Sequence, residues 1–179
     1  FLNLLMKSLS EIETTSKRAS RAAGFSWGVS EEIAKSIRLL ELFSLAGIKN
    51  LNDYYKSRNN NKFENLVTIN ESNSSEKHPY CPLILGVSFL DQIKGIEKFK
   101  KIKFNEISFP LLVLPFLSRS SEIIGKRINF KFSQFEFLLN LNMNISSNLL
   151  NKDCPIQAKD VEIDILENKD SFSEQEWKS

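Results

Sequence analysis

A chain of 179 residues with 41% hydrophobic and 26% charged content has the composition of an ordinary globular domain, and its length suits one such domain with a small appendage. A net charge of +2 is too small to signal nucleic acid, and the longest apolar run, Leu111 to Leu117 with Pro115 inside it, is far short of a membrane span. Two cysteines, Cys81 and Cys154, make no secreted disulfide framework, so a cytoplasmic location is expected. Phe1-Leu-Asn-Leu-Leu5 lacks the layout of a signal peptide; the chain is read as a fragment, or as starting naturally at Met6-Lys7.

Ser8-Leu-Ser-Glu11 has capping-box spacing and predicts a first helix over about Leu9–Ala23, with Leu9, Ile12, Ala19 and Ala23 on one face and Lys17, Arg18 and Arg21 largely off it. Gly24 reads as its stop. Ser30, followed by Glu31 and Glu32, reads as the cap of a second helix running to about Ala46 and closed by Gly47. Ile33, Ile37, Leu40 and Ser44 form its stripe, widened by Ala34, Leu39 and Phe43. The connection carries Phe25 and Trp27, and two large aromatics there predict that at least one ring packs into the domain; Trp27 is expected to dock the hairpin onto the later strands or, failing that, to line a ligand pocket.

Leu51 and Tyr54-Tyr55 suggest a short third helix after Asn50 or Asn52. From Arg58 to Pro79 the composition shifts to Asn, Ser, Lys and Glu, the mark of a flexible insertion touching the body through Leu66-Val67-Thr-Ile69. Cys81-Pro82 opens a helix that Gly95 ends. Ile102-Lys-Phe104 suggests a short strand, and Pro115 starts a buried helix that ends at Gly125 and projects Arg119. Beyond Gly125 the period changes to 2: Ile128 to Phe132 and Phe135 to Ile145 read as two antiparallel strands joined near 133–134, and Val161, Ile163 and Ile165 give a third with an acidic outer face. Helices first and strands later mean α+β: an N-terminal helical hairpin, further helices and a C-terminal antiparallel sheet. The expected organisation is one domain over 1–179, with the hairpin at 8–57, the insertion at 58–79, a mixed body at 80–166 and a frayed acidic tail at 167–179.

Charge is uneven: residues 151–179 hold four lysines against eight acids, so that end is −4 and the remainder +6. The lysines at 94, 98, 100, 101 and 103 are read as a solvated face balanced by the acidic end. Chemistry-bearing groups are sparse. His78 is the only histidine and Cys81 lies three residues on; a structural zinc site needs four ligands, and Cys154 is the only other thiol, so no metal is expected. Cys81, at a helix N-terminus, is the better reactive-thiol candidate, with a buried small apolar residue as the plain alternative. Cys-Pro pairs also occur in haem-responsive proteins, but two pairs alone do not argue for haem, and no cofactor is expected. Neither GxGxxG nor GxxxxGK[ST] occurs. Arg18, Arg21, Arg38, Arg119 and Arg127 could hold an anion, Arg119 above all because its helix is otherwise apolar. A helix-turn-helix reading fails on the length of the connection and on Glu31-Glu32 at the end that would approach DNA.

Leu9-Ser-Glu-Ile12, Arg21-Ala-Ala-Gly-Phe-Ser-Trp-Gly28 with Glu31-Glu32, Cys81-Pro-Leu-Ile-Leu-Gly86 and Pro110-Leu-Leu-Val-Leu-Pro-Phe116 resemble, in that order, a bacterial domain-of-unknown-function family. The resemblance runs from Leu9 to about Leu141, with Gly24-Phe-Ser-Trp-Gly28 its most specific part; it implies a single domain and no mechanism. The helical pair ending Leu45-Ala-Gly-Ile48 is also similar to the start of the type-2 malate/L-lactate dehydrogenase family, whose fold binds a nicotinamide cofactor without a Rossmann domain. There a Gly-Ile-Asp-Ser-His-Gly run supplies the catalytic histidine; here Leu51 stands in its place, so the chemistry is not implied.

Together these features lead to the expectation of a non-catalytic cytoplasmic binding or accessory module for a protein partner or a small anionic metabolite, without nucleic acid or membrane. The alternative is a small enzyme or enzyme subunit with a pocket near Trp27, Cys81 and Arg119; a homo-oligomeric structural subunit comes third.

Overall fold

The computed structural model describes residues 8–58, 65–139, 145–147 and 154–167. The first helix, α1 (Leu9–Ala22), opens on the expected capping box: the Glu11 amide donates to Ser8 Oγ at 3.2 Å, and the Ser8 amide donates to Glu11 Oε2 at 3.0 Å. It closes on a Schellman turn, with Gly24 at φ 104°, its amide on the Arg21 carbonyl and the Phe25 amide on the Ser20 carbonyl.

Helix α2 (Trp27–Leu42) is capped by Ser26, four residues before the expected Ser30 cap, and stops four residues before Ala46. Its end repeats the Schellman pattern without glycine: Ser44 takes φ 58°, and the Leu45 amide reaches the Leu40 carbonyl at 2.9 Å. Gly47 therefore does not close α2 but opens α3 (Gly47–Ser57), where a Cβ would sit 2.9 Å from Leu40 Cβ. The Glu41 carboxylate of α2 accepts from the Ile48 amide at 2.8 Å, satisfying one of the free donors at the start of α3.

Residues 67–69 lie against helix α4 (Pro82–Ile96), whose first eight residues are buried. Val67 anchors the segment by donating to Ser88 Oγ and accepting from Gln92 Nε2, and the Ile69 amide donates to Gln92 Oε1. The segment then supplies β1 (Ser72–Asn73), parallel to β2 (Lys101–Ser108), which is longer than the three-residue strand expected. A 3-10 turn over Pro110–Val113 leads into α5 (Leu114–Ile124), ended by Gly125 at φ 65°.

The sheet continues with β3 (Arg127–Phe132), β4 (Phe135–Leu139), β5 (Ile145–Ser147) and β6 (Gln157–Leu166), in the order β1-β2-β6-β3-β4-β5. The β3–β4 hairpin turns at Ser133-Gln134 as expected. The alternation from Phe135 to Ile145, however, is not one strand: Leu139 pairs with Ile145, so the chain has reversed between them. The part of that expectation on residues 140–144 lies outside the described residues, as does the tail from 168. Among the named strands all pairings but β1–β2 are antiparallel, an isolated parallel bridge joins Tyr80 to Ile107, and the last long strand, β6, is inserted between β2 and β3.

Strand β6 buries Val161, Ile163 and Ile165, as its alternation predicts. The outward charges meet in register: Lys103 opposes Glu162, Glu162 opposes Lys131, and Lys131 opposes Glu136. Asp164 lies 3.9 Å from both Lys101 and Lys131. The acidic face is thus neutralised by lysines of neighbouring strands, opposite charges across a sheet being the stabilising arrangement. The inward side changes phase where β2 and β6 pass Asn105 and Asp160: Phe104 and Ile107 are buried three positions apart instead of two, as are Ala158 and Val161, and Phe104 still faces Val161. Asp160 stands at φ 51° there, a conformation asparagine and aspartate tolerate better than most residues.

Helix α5 packs on β3 and β4, α4 packs beside α5, and α2 crosses both, carrying α1 and α3. Their buried residues form one hydrophobic cluster with those of the sheet. No helix among the described residues is long and apolar enough to cross a membrane.

At the α4–α5 contact, a Cβ on Gly86 would lie 2.2 Å from Phe116 Cδ2, in a ring that is fully buried. Gly→Ala in a helix ordinarily gains about 0.5–1 kcal/mol, whereas overpacking a core costs about 1–3 kcal/mol. Gly86→Ala should therefore destabilise by about 1–2 kcal/mol, while Gly95→Ala, with open space around it, should stabilise by about 0.5 kcal/mol. Urea unfolding of the two variants separates the effects, and equal midpoints would refute the packing argument.

Candidate functional site: a groove at Trp27

The glycine-aromatic connection has a definite local logic. Ser26 caps α2, accepting from the Val29 amide at 3.3 Å, which makes Trp27 the first helical residue. Ser30 is buried, its hydroxyl donating to the Phe25 carbonyl at 3.4 Å. Phe25 is the ring that enters the core, 6.0 Å from the Tyr55 ring and 4.7 Å from the Arg58 guanidinium. Trp27 is 63% exposed, so it does not dock the hairpin onto the strands. Starting the helix at Trp27 places that side chain outward, beside the last two turns of α1.

There it meets cations. Lys17 Nζ lies 5.0 Å and the Arg21 guanidinium 4.8 Å from the Trp27 ring centre, within cation–π range. Together with Ser10, Glu13, Thr14 and Arg18 they line an open groove of about 570 Å³ along α1. Glu13 is paired with Arg38 at 3.2 Å and Lys17 with Glu31 at 2.9 Å. Hydrogen bonding by Lys17, reinforced by its charge, holds the Glu31 carboxyl below its usual range. Arg21 also donates to the Phe25 carbonyl at 2.8 Å, which fixes its guanidinium beside the indole. Arg18 is exposed and makes no ion pair among the described residues. The lining thus offers three cations against one carboxylate, itself engaged elsewhere.

The other two candidates lie apart from this groove. Arg119 of α5 reaches α2, where it pairs with Glu32 and approaches Ser36 Oγ at 3.5 Å. Its side chain is only 20% exposed, so it serves as a tie between the hairpin and the body. Cys81 caps α4 by position, with no side-chain capping bond, and is buried near Tyr55. Neither lines the Trp27 groove. His78 is exposed in the loop between β1 and α4. Burial pushes the Cys154 thiol up to about 12, against a weaker opposing hydrogen bond from the Leu111 backbone. Neither cysteine is disulfide-bonded, and no cluster of three or more His, Cys, Asp or Glu side chains suited to a metal occurs among the described residues. Lys17 was not among the residues the sequence singled out, and Arg21 stood there only as one of five arginines able to hold an anion; the two lie together at the Trp27 ring. The signal was present in their i,i+4 spacing off the apolar stripe, just before two aromatics.

Two outcomes follow from these placements. A double-mutant cycle on Arg119→Ala and Glu32→Ala should give a coupling of about 1–2 kcal/mol in unfolding free energy, as for a partly buried charged hydrogen bond. A coupling near zero would reopen Arg119 as a ligand anchor. The Cys154 thiol ionises in the unfolded chain near its ordinary 9.0 but in the fold only near 12. Its contribution to stability is therefore intact below about pH 9 and is lost as pH rises towards the folded value. Cys154→Ala should flatten the fall in stability seen by urea unfolding between about pH 9 and about pH 11, and an unchanged slope would contradict the burial of this thiol.

No curated protein and no solved structure matches the chain. The similarity of the first fifty residues to the type-2 malate/L-lactate dehydrogenase family finds no support in these comparisons. The family match covers α1 to α3, every groove residue and the segment up to Tyr80, while the Cys81-to-Gly86 and Pro110-to-Phe116 elements lie outside it. Over residues 7–80 the chain matches the family described as a protein of unknown function (DUF3726).

Proposed function

We propose that this chain is a non-catalytic cytoplasmic binding or accessory module whose recognition surface is the Trp27 groove, and that its ligand is a protein partner or a small anionic metabolite. One observation carries the reading: an indole exposed to 63% lies against Lys17 and Arg21 on a surface that also carries Arg18, a cation with no ion pair among the described residues. Exposing so large an apolar ring forgoes burial free energy, and tryptophan and arginine are the residue types that dominate recognition surfaces. The catalytic candidates support the same side: Cys81 is buried, Arg119 is committed to Glu32 and His78 is exposed in a loop. The absence of a disulfide between the two cysteines favours a reducing compartment.

Native purification of the tagged chain, in parallel with Trp27→Ala and Arg21→Glu variants that fold normally by circular dichroism, tests this. Material that accompanies the wild type should be lost from both variants. Retention of everything by both variants would remove the groove from consideration. Turnover of a substrate by the purified chain, abolished by alanine at His78, Cys81 or Arg119, would overturn the non-catalytic reading.

A further inference from the structure

The groove has a length as well as a charge. Its α1 residues recur at Ser10, Thr14, Lys17 and Arg21, so it follows one helical face for about 16 Å at the rise of an α-helix. Small ligands bind in concave pockets that enclose most of their surface, and this groove is open along its side. An extended polypeptide covers about 16 Å with roughly five residues and gains its affinity from contacts spread along the line. The cations suit carboxylates at separate points: Arg18 is available, Arg21 is oriented by the Phe25 carbonyl, and Lys17 can exchange its exposed partner Glu31 for an incoming acid. A nucleic-acid backbone asks for an unbroken run of cations, and here Glu13 and Glu31 interrupt the line.

We infer that the groove receives an acidic polypeptide segment of a partner protein, with carboxylates set against Arg18, Arg21 and Lys17 and one apolar or aromatic residue seated on Trp27. This rests on the binding-module reading above and narrows it to one class of ligand.

The test is selection of a displayed twelve-residue peptide library on the immobilised full chain, followed by titration of the recovered peptides and, separately, of inorganic phosphate, ADP and a single-stranded oligonucleotide. Recovered sequences should be net acidic with an aromatic or large aliphatic residue among the acids. Their binding should weaken with added salt, fall about 30-fold or more in Trp27→Ala and fall comparably in the Arg18→Glu, Arg21→Glu double variant. Arg119→Lys, outside the groove, should bind as the wild type does. Peptides without acidic enrichment, or bound equally by wild type and Trp27→Ala, would overturn the inference. Phosphate, ADP or oligonucleotide binding that is lost in Trp27→Ala, with no acidic peptide recovered, would sink the peptide inference while leaving the groove as the recognition surface. If none of these probes depends on Trp27, both readings fall together.

Discussion

The arrangement depends on a missing side chain. Gly86 leaves the space into which the Phe116 ring fits, and without that space α4 and α5 could not lie as close as they do. Helix α4 is buried over eight consecutive residues, Pro82 to Phe89, so it works as an interior rod and not as a surface helix with one apolar stripe. The sheet lies against one side of the α4–α5 pair, and α2 crosses the other with its fully buried Ile33, Ile37 and Leu40. A helix apolar on all sides has to be enclosed on all sides, which explains why the hairpin before it and the strands after it both pack around it.

The sheet answers two problems with local devices. Charges on its outer face are neutralised across strands, so Glu162 and Asp164 of β6 and the lysines of β2 are two halves of one surface. Its inner face keeps its apolar residues inward through a change of phase made at the same level in both β2 and β6. Had one strand shifted alone, every residue beyond that point would face the wrong layer. Asn105 secures the place by exchanging two hydrogen bonds with the Ser75 backbone, at 2.9 and 3.1 Å.

The groove is distinct from all of this. Its residues contribute little to the core, and Trp27 is exposed, outside the buried stripe of α2 that packs on α4 and α5. The family match ends at Tyr80, before α4 begins, so the groove and its helical support fall within the matched part and most of the core lies beyond it. The Arg119–Glu32 pair is a polar tie across that boundary.

The sequence alone was enough for the α+β class, the capping box at Ser8, the Gly24 and Gly125 stops, the α4 start at Pro82, and the turn at Ser133-Gln134. Each of these rests on an interaction between residues a few positions apart. The choice between Phe25 and Trp27 was not legible there, because it turned on whether Ser26 or Ser30 caps α2, and both serines satisfy the local rule. Tertiary burial decided it, since Ser30 sits on the stripe that faces the core and Ser26 does not. The Ser44 turn was hidden for a similar reason: a glycine three residues later was the better local stop, but the close contact of Gly47 with Leu40 required it at the start of α3. Strand order, the reversal between Leu139 and Ile145, the cations around Trp27 and the commitment of Arg119 to Glu32 all join residues distant in sequence or remote in pattern. Periodicity records which face of an element is apolar; only packing determines what that face, or a ring left outside it, will meet.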